Sequence, residues 1–167
     1  MGSGNQFDIV FVVVTYNSAQ HIRSCIDSIC THFADSMCSS LIVVVDNASS
    51  DGTMAILNDL QKTVEGLHVV FLDRNIGFGR ANNIAFNTFS ARYYVLLNQD
   101  AWLLADSVSP ALAAMEKNRN IAVCGLPLVY PDGTPQTYAY PFSSWQRWLM
   151  RLLGLRELAA RLARFRG

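Results

Sequence analysis

Tyr93-Tyr94-Val95-Leu96-Leu97-Asn98-Gln99-Asp100 is the stretch whose reading decides the fold. Five residues with apolar bodies in a row predict a strand buried on both faces. The run then stops at three polar residues ending in a carboxylate. A buried parallel strand that ends this way presents its polar group at the carboxyl edge of a sheet, where ligands of open α/β sheets bind. Asp100 could hold a divalent cation, which prefers oxygen ligands. It could equally N-cap whatever follows. The stretch by itself leaves both open.

The same grammar recurs on either side of it. Phe7 to Val14 is a β-rich apolar run broken by Thr15-Tyr16-Asn17-Ser18. From Ala19 the apolar positions Ile22, Cys25, Ile26, Ile29 and Cys30 return at helical spacing, so a helix is expected to about His32, with Ser18 as its N-cap. Leu41 to Val45 is a second strand, ending at Asp46-Asn47-Ala48-Ser49-Ser50-Asp51-Gly52-Thr53. A helix follows from about Met54 to Lys62. Leu67 to Leu72 is a third strand, ending at Asp73-Arg74-Asn75-Ile76-Gly77-Phe78-Gly79, with a helix from about Arg80 to Ser90. Beyond Asp100 a helix is expected from Ser107 to about Asn118, with Pro110 tolerated in its first turn. Ile121 to Cys124 reads as a short fifth strand, and Pro131-Asp132-Gly133-Thr134 as a turn between two extended pieces. Strands alternating with helices predict an α/β fold, a Rossmann-like doubly wound and mostly parallel sheet with a site along one edge.

Composition narrows the class. The chain has 167 residues, 51% of them hydrophobic and 16% charged, which suits one globular domain and not a disordered chain. The net charge of zero is unevenly spread. From Trp145 onward there are six Arg and one Glu, so the preceding part is acidic on balance. Cys25, Cys30, Cys38 and Cys124 form no CxxC pair and have no His cluster beside them, so zinc is not expected. Cys25 and Cys30 read as reduced core thiols. Met1-Gly2-Ser3-Gly4 looks like an appended leader and not a signal peptide, and no run is long enough to span a membrane. A cytoplasmic location is expected. The expected layout is residues 1–6 outside the fold, 7–143 the ligand-binding domain and 144–167 a basic helical tail.

Asp46, Asp73 and Asp100 stand at three strand ends and are expected to face one crevice. Carboxylates there suit a nucleotide: one can accept the N–H of a pyrimidine or bind ribose hydroxyls, another can hold a metal on a diphosphate. Caps and turns are the plain alternative. Other chemistries fit poorly. There is no G-x-x-x-x-G-K-[ST], no G-x-S-x-G, and Ile76-Gly77-Phe78-Gly79 lacks the third glycine of a dinucleotide fingerprint, with Asn82 in its place. His21, His32 and His68 are scattered. Nothing points to nucleic acid.

Four blocks, in order, carry a resemblance. Val12-Val13-Val14-Thr15-Tyr16-Asn17, then Val44-Val45-Asp46-Asn47-Ala48-Ser49-Ser50-Asp51-Gly52-Thr53, then Asn75-Ile76-Gly77-Phe78-Gly79-Arg80-Ala81-Asn82-Asn83, then Leu96-Leu97-Asn98-Gln99-Asp100 resemble family 2 glycosyltransferases of the GT-A fold, on the rhamnosyltransferase-like branch. The resemblance covers about residues 8 to 145. It implies inverting transfer of a sugar from a nucleotide diphosphate to a hydroxyl acceptor, saccharide or lipid-linked, in cell-envelope polysaccharide biosynthesis. It places Thr15, Tyr16 and Asn17 at the nucleotide, and Asp46 on a uracil or thymine base with Asn47 beside it. Asp51 would shape the same loop. Asn75, Gly77 and Asn82 would lie beside the sugar nucleotide, and Arg80 would reach a phosphate or remain a solvated helix residue. Asn98-Gln99-Asp100 would be the DXD-type site, with Asp100 on Mg²⁺ or Mn²⁺ and Asn98 offering an uncharged oxygen. A deoxythymidine diphosphate rhamnose donor is the first expectation, a uridine diphosphate sugar the next.

Such an enzyme needs a general base. After Asp132 the one acidic residue is Glu157, in an Arg-rich helical stretch unlike the family's base motif. The expectation is a donor-binding N-terminal part of a longer enzyme, with the base beyond the chain end. A non-catalytic nucleotide-sugar or protein-binding module is the alternative from another class. A sugar nucleotidyltransferase is disfavoured because no Gly-rich basic loop follows the first strand. The tail from Trp145 interleaves Arg147, Arg151, Arg161 and Arg164 with Trp148, Leu152, Leu158 and Leu162. It would either pack on protein, the favoured reading, or lie at the inner face of an anionic membrane.

Overall fold

Runs of β-branched residues form the centre of the molecule. In the computed structural model, which describes residues 7–33 and 38–136, β1 (Phe7–Thr15), β2 (Ser40–Asp46), β3 (Leu67–Phe71) and β4 (Ala91–Asn98) make one parallel sheet in the order β3-β2-β1-β4. The crossovers contain α1 (Ile22–Phe33), α2 (Thr53–Thr63) and α3 (Phe78–Thr88), and α4 (Val108–Lys117) follows β4. The α/β, parallel reading of the sequence is therefore correct. Two compact units are distinguished, Met1–Cys124 and Gly125–Gly167. Residues 1–6 and the proposed tail, 144–167, lie outside the described residues.

Strand alternation divides the core into two faces. Val10, Val12, Val14, Val43 and Val45 pack with Ala81 and Ala85 of α3. On the other face Phe11 meets Phe33 of α1 edge to face, ring centroids 5.0 Å apart. Along α1 the stripe Ile22, Cys25, Ile26, Ile29 and Phe33 is buried, each large apolar side chain contributing about 1.5–3 kcal/mol. Helix starts match the sequence reading within a few residues, with one difference in chemistry. Ser18 does not cap α1 through its hydroxyl, which is buried without a partner among the described residues. Its carbonyl accepts the Ile22 N–H at 3.0 Å instead.

Two expectations are corrected. The run Tyr93 to Leu97 is not buried on both faces: β4 is an edge strand among the described residues, and Leu96 is 52% exposed. The reason is placement of the helices. α3 packs on β1 and β2, and on that face of β4 it reaches Tyr94, through Phe86 at 4.9 Å, leaving Leu96 bare. Ile121 to Cys124 is not a strand. Among the described residues β1 to β4 form their ladders with one another, and this run lies outside those ladders, with Val123 87% exposed. The second unit holds the expected turn: Val129 and Pro135 form an antiparallel bridge around Pro131-Asp132-Gly133-Thr134. Cys25 is buried and Cys30 half-buried, both as thiols.

Candidate functional site

Because all four strands run the same way, their carboxyl ends lie on one edge. The register pairs Thr15 with Asp46 and Asp46 with Phe71, and sets Asn98 beside Val14. The chain steps outward from β1 to β3 and then returns to place β4 on the other side of β1. The β1–β4 boundary is therefore the topological switch point, where open α/β sheets hold ligands. Tyr16 and Asn17 follow β1 there, and Asn98 and Asp100 stand at the end of β4.

The three carboxylates do not share one environment. Asp46 is fully buried. Its carboxylate accepts the Ser49 N–H at 3.1 Å and the Ser49 hydroxyl at 2.5 Å. It holds its own loop from within, with Ser49 as its partner. Asp73 and Asp100 are exposed, but they follow the two outer strands. Three inter-strand spacings put those strands about 14 Å apart, so the two carboxylates cannot clasp one ion. The three strand-end acids thus stand differently, Asp46 buried and Asp73 and Asp100 exposed after the two outer strands. No donor among the described residues holds the Asp100 carboxylate.

The loops are tied together by side chains. Asn17 takes φ +49°, a left-handed conformation that Asn tolerates, and its Oδ1 accepts the Ser50 N–H at 2.8 Å while its own N–H donates to Ser49 Oγ at 2.9 Å. Asp51 accepts the Thr53 N–H at 2.9 Å and the Ala19 N–H at 3.1 Å. Those bonds, those from Thr53 first, hold its carboxyl below the ordinary range. Thr53 Oγ1 in turn accepts the Ser18 N–H at 2.8 Å. Ala48 sits at φ +66°, backbone strain of the kind that clusters at binding sites.

Asn47 joins the second loop to the third. Its Oδ1 accepts the Ile76 N–H at 2.8 Å and its Nδ2 donates to Asn75 Oδ1 at 2.9 Å. Asn75 Oδ1 also accepts the Gly77 N–H at 2.9 Å. Gly77 precedes α3 at φ +86° with open space where a Cβ would stand, so backbone conformation and not crowding selects glycine. Replacing Asn47 with alanine leaves the Ile76 amide without its acceptor and removes one of the two bonds on Asn75 Oδ1, and is expected to cost about 1–3 kcal/mol. An unchanged urea midpoint would show that the tie contributes nothing.

Thr15 and Asn82 are buried, and among the described residues Thr15 Oγ1 and Asn82 Oδ1 have no partner, while Asn82 Nδ2 donates to the Phe78 carbonyl at 3.0 Å. Arg80 is exposed on the first turn of α3. Beneath the end of β4, Cys25 Sγ lies 3.6 Å from the Asn98 carbonyl. Burial, and then the Asp100 carboxylate, pushes that thiol up to about 12, so it is neutral at physiological pH. Sequence reasoning missed Ser49, Thr53 and Gln99. Their signal is faint, since short polar residues after a strand also serve as ordinary turns.

The donor set at Asp100 bears on a metal. Among the described residues no group of three or more His, Cys, Asp or Glu side chains converges. One exposed carboxylate with the neighbouring Asn98 oxygen suits a hard cation that keeps waters and takes other ligands from phosphates. It does not suit a dedicated protein cage. A cleft of about 320 Å³ lined by Ile29, Phe33, Ile42 and Val64 lies at the amino edge of the sheet, away from these residues.

Known proteins share this architecture and this sequence. The S. aureus protein TarS, in complex with UDP-GlcNAc, superposes with a TM-score of 0.58 at 22% identity over 67% of this chain and 32% of its own. The Pyrobaculum calidifontis mannosyltransferase PcManGT, in complex with GDP-Man and Mn²⁺, gives 0.60 at 26% identity over 66% and 33%. These place the fold with GT-A nucleotide-sugar transferases. In sequence, the Bacillus subtilis glycosyltransferase TuaG, named for teichuronic acid biosynthesis, is 30% identical over 125 residues, 74% of this chain and 48% of its own. The Rhizobium meliloti succinoglycan biosynthesis protein ExoO is 31% identical over 127 residues, 75% and 35%. The chain thus spans about half the length of the first and a third of the second. The profile described as glycosyl transferase family 2 matches residues 10–162, and with nearly the whole length accounted for in this way, the chain belongs to that family.

Proposed function

We propose that the carboxyl rim at the β1–β4 boundary binds a nucleoside diphosphate sugar, and that the chain serves inverting sugar transfer to a hydroxyl acceptor. The observation that carries this is the Asp100 carboxylate: exposed, held by no donor among the described residues, and seated at the switch point beside Tyr16 and Asn17. Tyr16, exposed, and Asn17 would line the nucleotide. Asp46 would contact the base with Asn47 beside it, Asp51 would shape the same loop, and Asn75 would lie beside the sugar nucleotide. Gly77, Arg80 and Asn82 lie toward the third loop and would flank the sugar and phosphates.

Asp100, with Asn98, would hold Mg²⁺ or Mn²⁺. A cation there supplies positive charge to the diphosphate oxygens as they leave. Support comes from the Pyrobaculum relative, which carries GDP-Man and Mn²⁺ together. No described residue is assigned the role of general base. TuaG and ExoO are named for polysaccharide biosynthesis, and we carry that setting over. A dTDP-rhamnose donor and a lipid-linked acceptor belong to this reading on resemblance, with the tail, 145–167, assigned to packing on protein and contact with a membrane face as the alternative its amphipathic pattern offers. No helix among the described residues is long and apolar enough to cross a membrane.

Calorimetry against dTDP, UDP and GDP, each with and without Mn²⁺, tests the proposal. Expected is saturable binding of a pyrimidine diphosphate that tightens when Mn²⁺ is present. Absence of heat with every nucleotide in both conditions would overturn it. Binding without slow hydrolysis of the matching sugar nucleotide would favour a non-catalytic module.

A further inference from the structure

Past the β1–β4 ladder the two strands part. The last shared rung is Val14 with Asn98. β4 then turns, the Ala101 N–H donating to the Asn98 carbonyl at 3.0 Å. The backbone of Asp100 therefore does not continue alongside Tyr16, and the Tyr16 peptide groups lack a strand neighbour on that side. Backbone groups in such a position need a partner from elsewhere.

The Gln99 side chain takes the place. Its Oε1 accepts the Tyr16 N–H at 2.6 Å, and its Nε2 donates to the Tyr16 carbonyl at 3.5 Å. A primary amide carries the same donor and acceptor as a peptide unit, so the side chain prolongs the ladder by one rung. The first bond is short and the second is at the limit of reach, so the Tyr16 N–H is the main point of hold. From the opposite side the same segment is held by β2 and its loop: the Asn47 N–H donates to the Thr15 carbonyl at 2.8 Å, and Ser49 and Ser50 bond Asn17. Among the described residues only Gln99 ties it toward β4.

We propose that Gln99 is a positioning residue. It splints the Tyr16–Asn17 segment to the end of β4, sets that segment's place relative to Asp100, and so couples the nucleotide side of the site to the cation side. Gln99 itself touches neither reacting atom. The coupling rests on the donor-site reading above; the splint does not. Glutamate at 99 would keep the acceptor for the Tyr16 N–H and lose the weaker donor. Alanine would lose both.

The test uses the full chain, labelled with ¹⁵N, as wild type, Gln99→Ala and Gln99→Glu. Hydrogen exchange at the Tyr16 amide reads the splint. Titration with UDP and dTDP, with and without Mn²⁺, reads the coupling. Expected is exchange at Tyr16 roughly tenfold faster in Gln99→Ala and near wild type in Gln99→Glu. The gain in nucleotide affinity from Mn²⁺ should fall roughly 2–10-fold in Gln99→Ala, the range for one lost hydrogen bond. Unchanged Tyr16 exchange in Gln99→Ala would overturn the splint. Faster exchange with an undiminished Mn²⁺ gain would overturn the coupling. Wild-type protein that takes up no nucleotide, while Tyr16 exchange still responds, would sink the donor-site reading and leave the splint standing. Should Gln99→Ala not fold, Gln99→Met, of equal side-chain length, provides the same comparison.

Discussion

Replacing Asp100 with alanine is expected to remove most of the gain in nucleotide affinity that Mn²⁺ provides. The loss should be at least about tenfold, since even outer-shell changes at metal sites cost 10–100-fold. The argument is one of ligand number. Asp73 lies across the sheet and Asp46 is buried on Ser49. Among the described residues no third acid, His or Cys converges on Asp100. Cys25 is buried beneath the end of β4, its Sγ 3.6 Å from the Asn98 carbonyl. An ion at Asp100 would thus depend on one protein carboxylate, and its loss has no substitute nearby. Without metal, Asp100→Ala should bind the diphosphate as well as wild type or slightly better, one negative charge having gone. Titration in both conditions decides it. A mutant that keeps the full Mn²⁺ gain would show that the cation sits elsewhere.

The largest effect on stability is expected at Phe11. It is wholly buried on the central strand β1, and its ring packs against Phe33 at 70° between planes. Truncation to alanine removes a large apolar side chain from a sheet whose neighbours on β2 and β4 are fixed by hydrogen bonds, so the cavity cannot close. The expected cost is about 3–5 kcal/mol, a large part of the ~5–15 kcal/mol that a domain has. At roughly 2–4 °C per kcal/mol for a chain of this size, the melting temperature should drop by about 6–20 °C. The same truncation at Leu96, half exposed on the edge strand, should cost under about 1 kcal/mol. Thermal melts of the two variants side by side check both the core and the edge. Equal shifts would mean that β4 is covered after all.

What could be read without coordinates is what depends on near neighbours in the chain. Val12 to Val14, Val43 to Val45 and the stripe Ile22, Cys25, Ile26 and Ile29 declare strand or helix through period and branching alone. The polar residues that end each strand mark one edge of the sheet. Tertiary structure decided the questions of partnership. Whether Tyr93 to Leu97 is buried on both faces depends on what packs on it, and among the described residues it is an edge strand with Leu96 half exposed. Ile121 to Cys124 has the composition of a strand and lies outside the ladders of the described residues. Three aspartates looked equivalent in sequence, yet Ser49 turns Asp46 inward and the strand order sends Asp73 and Asp100 to opposite sides. Gln99 appeared as the middle letter of a motif. Its importance emerges only when β4 turns away and leaves the Tyr16 amide to be met by a side chain from a residue 83 positions along. Local preference chooses the element, but the direction a side chain faces is settled by which distant backbone groups need a partner.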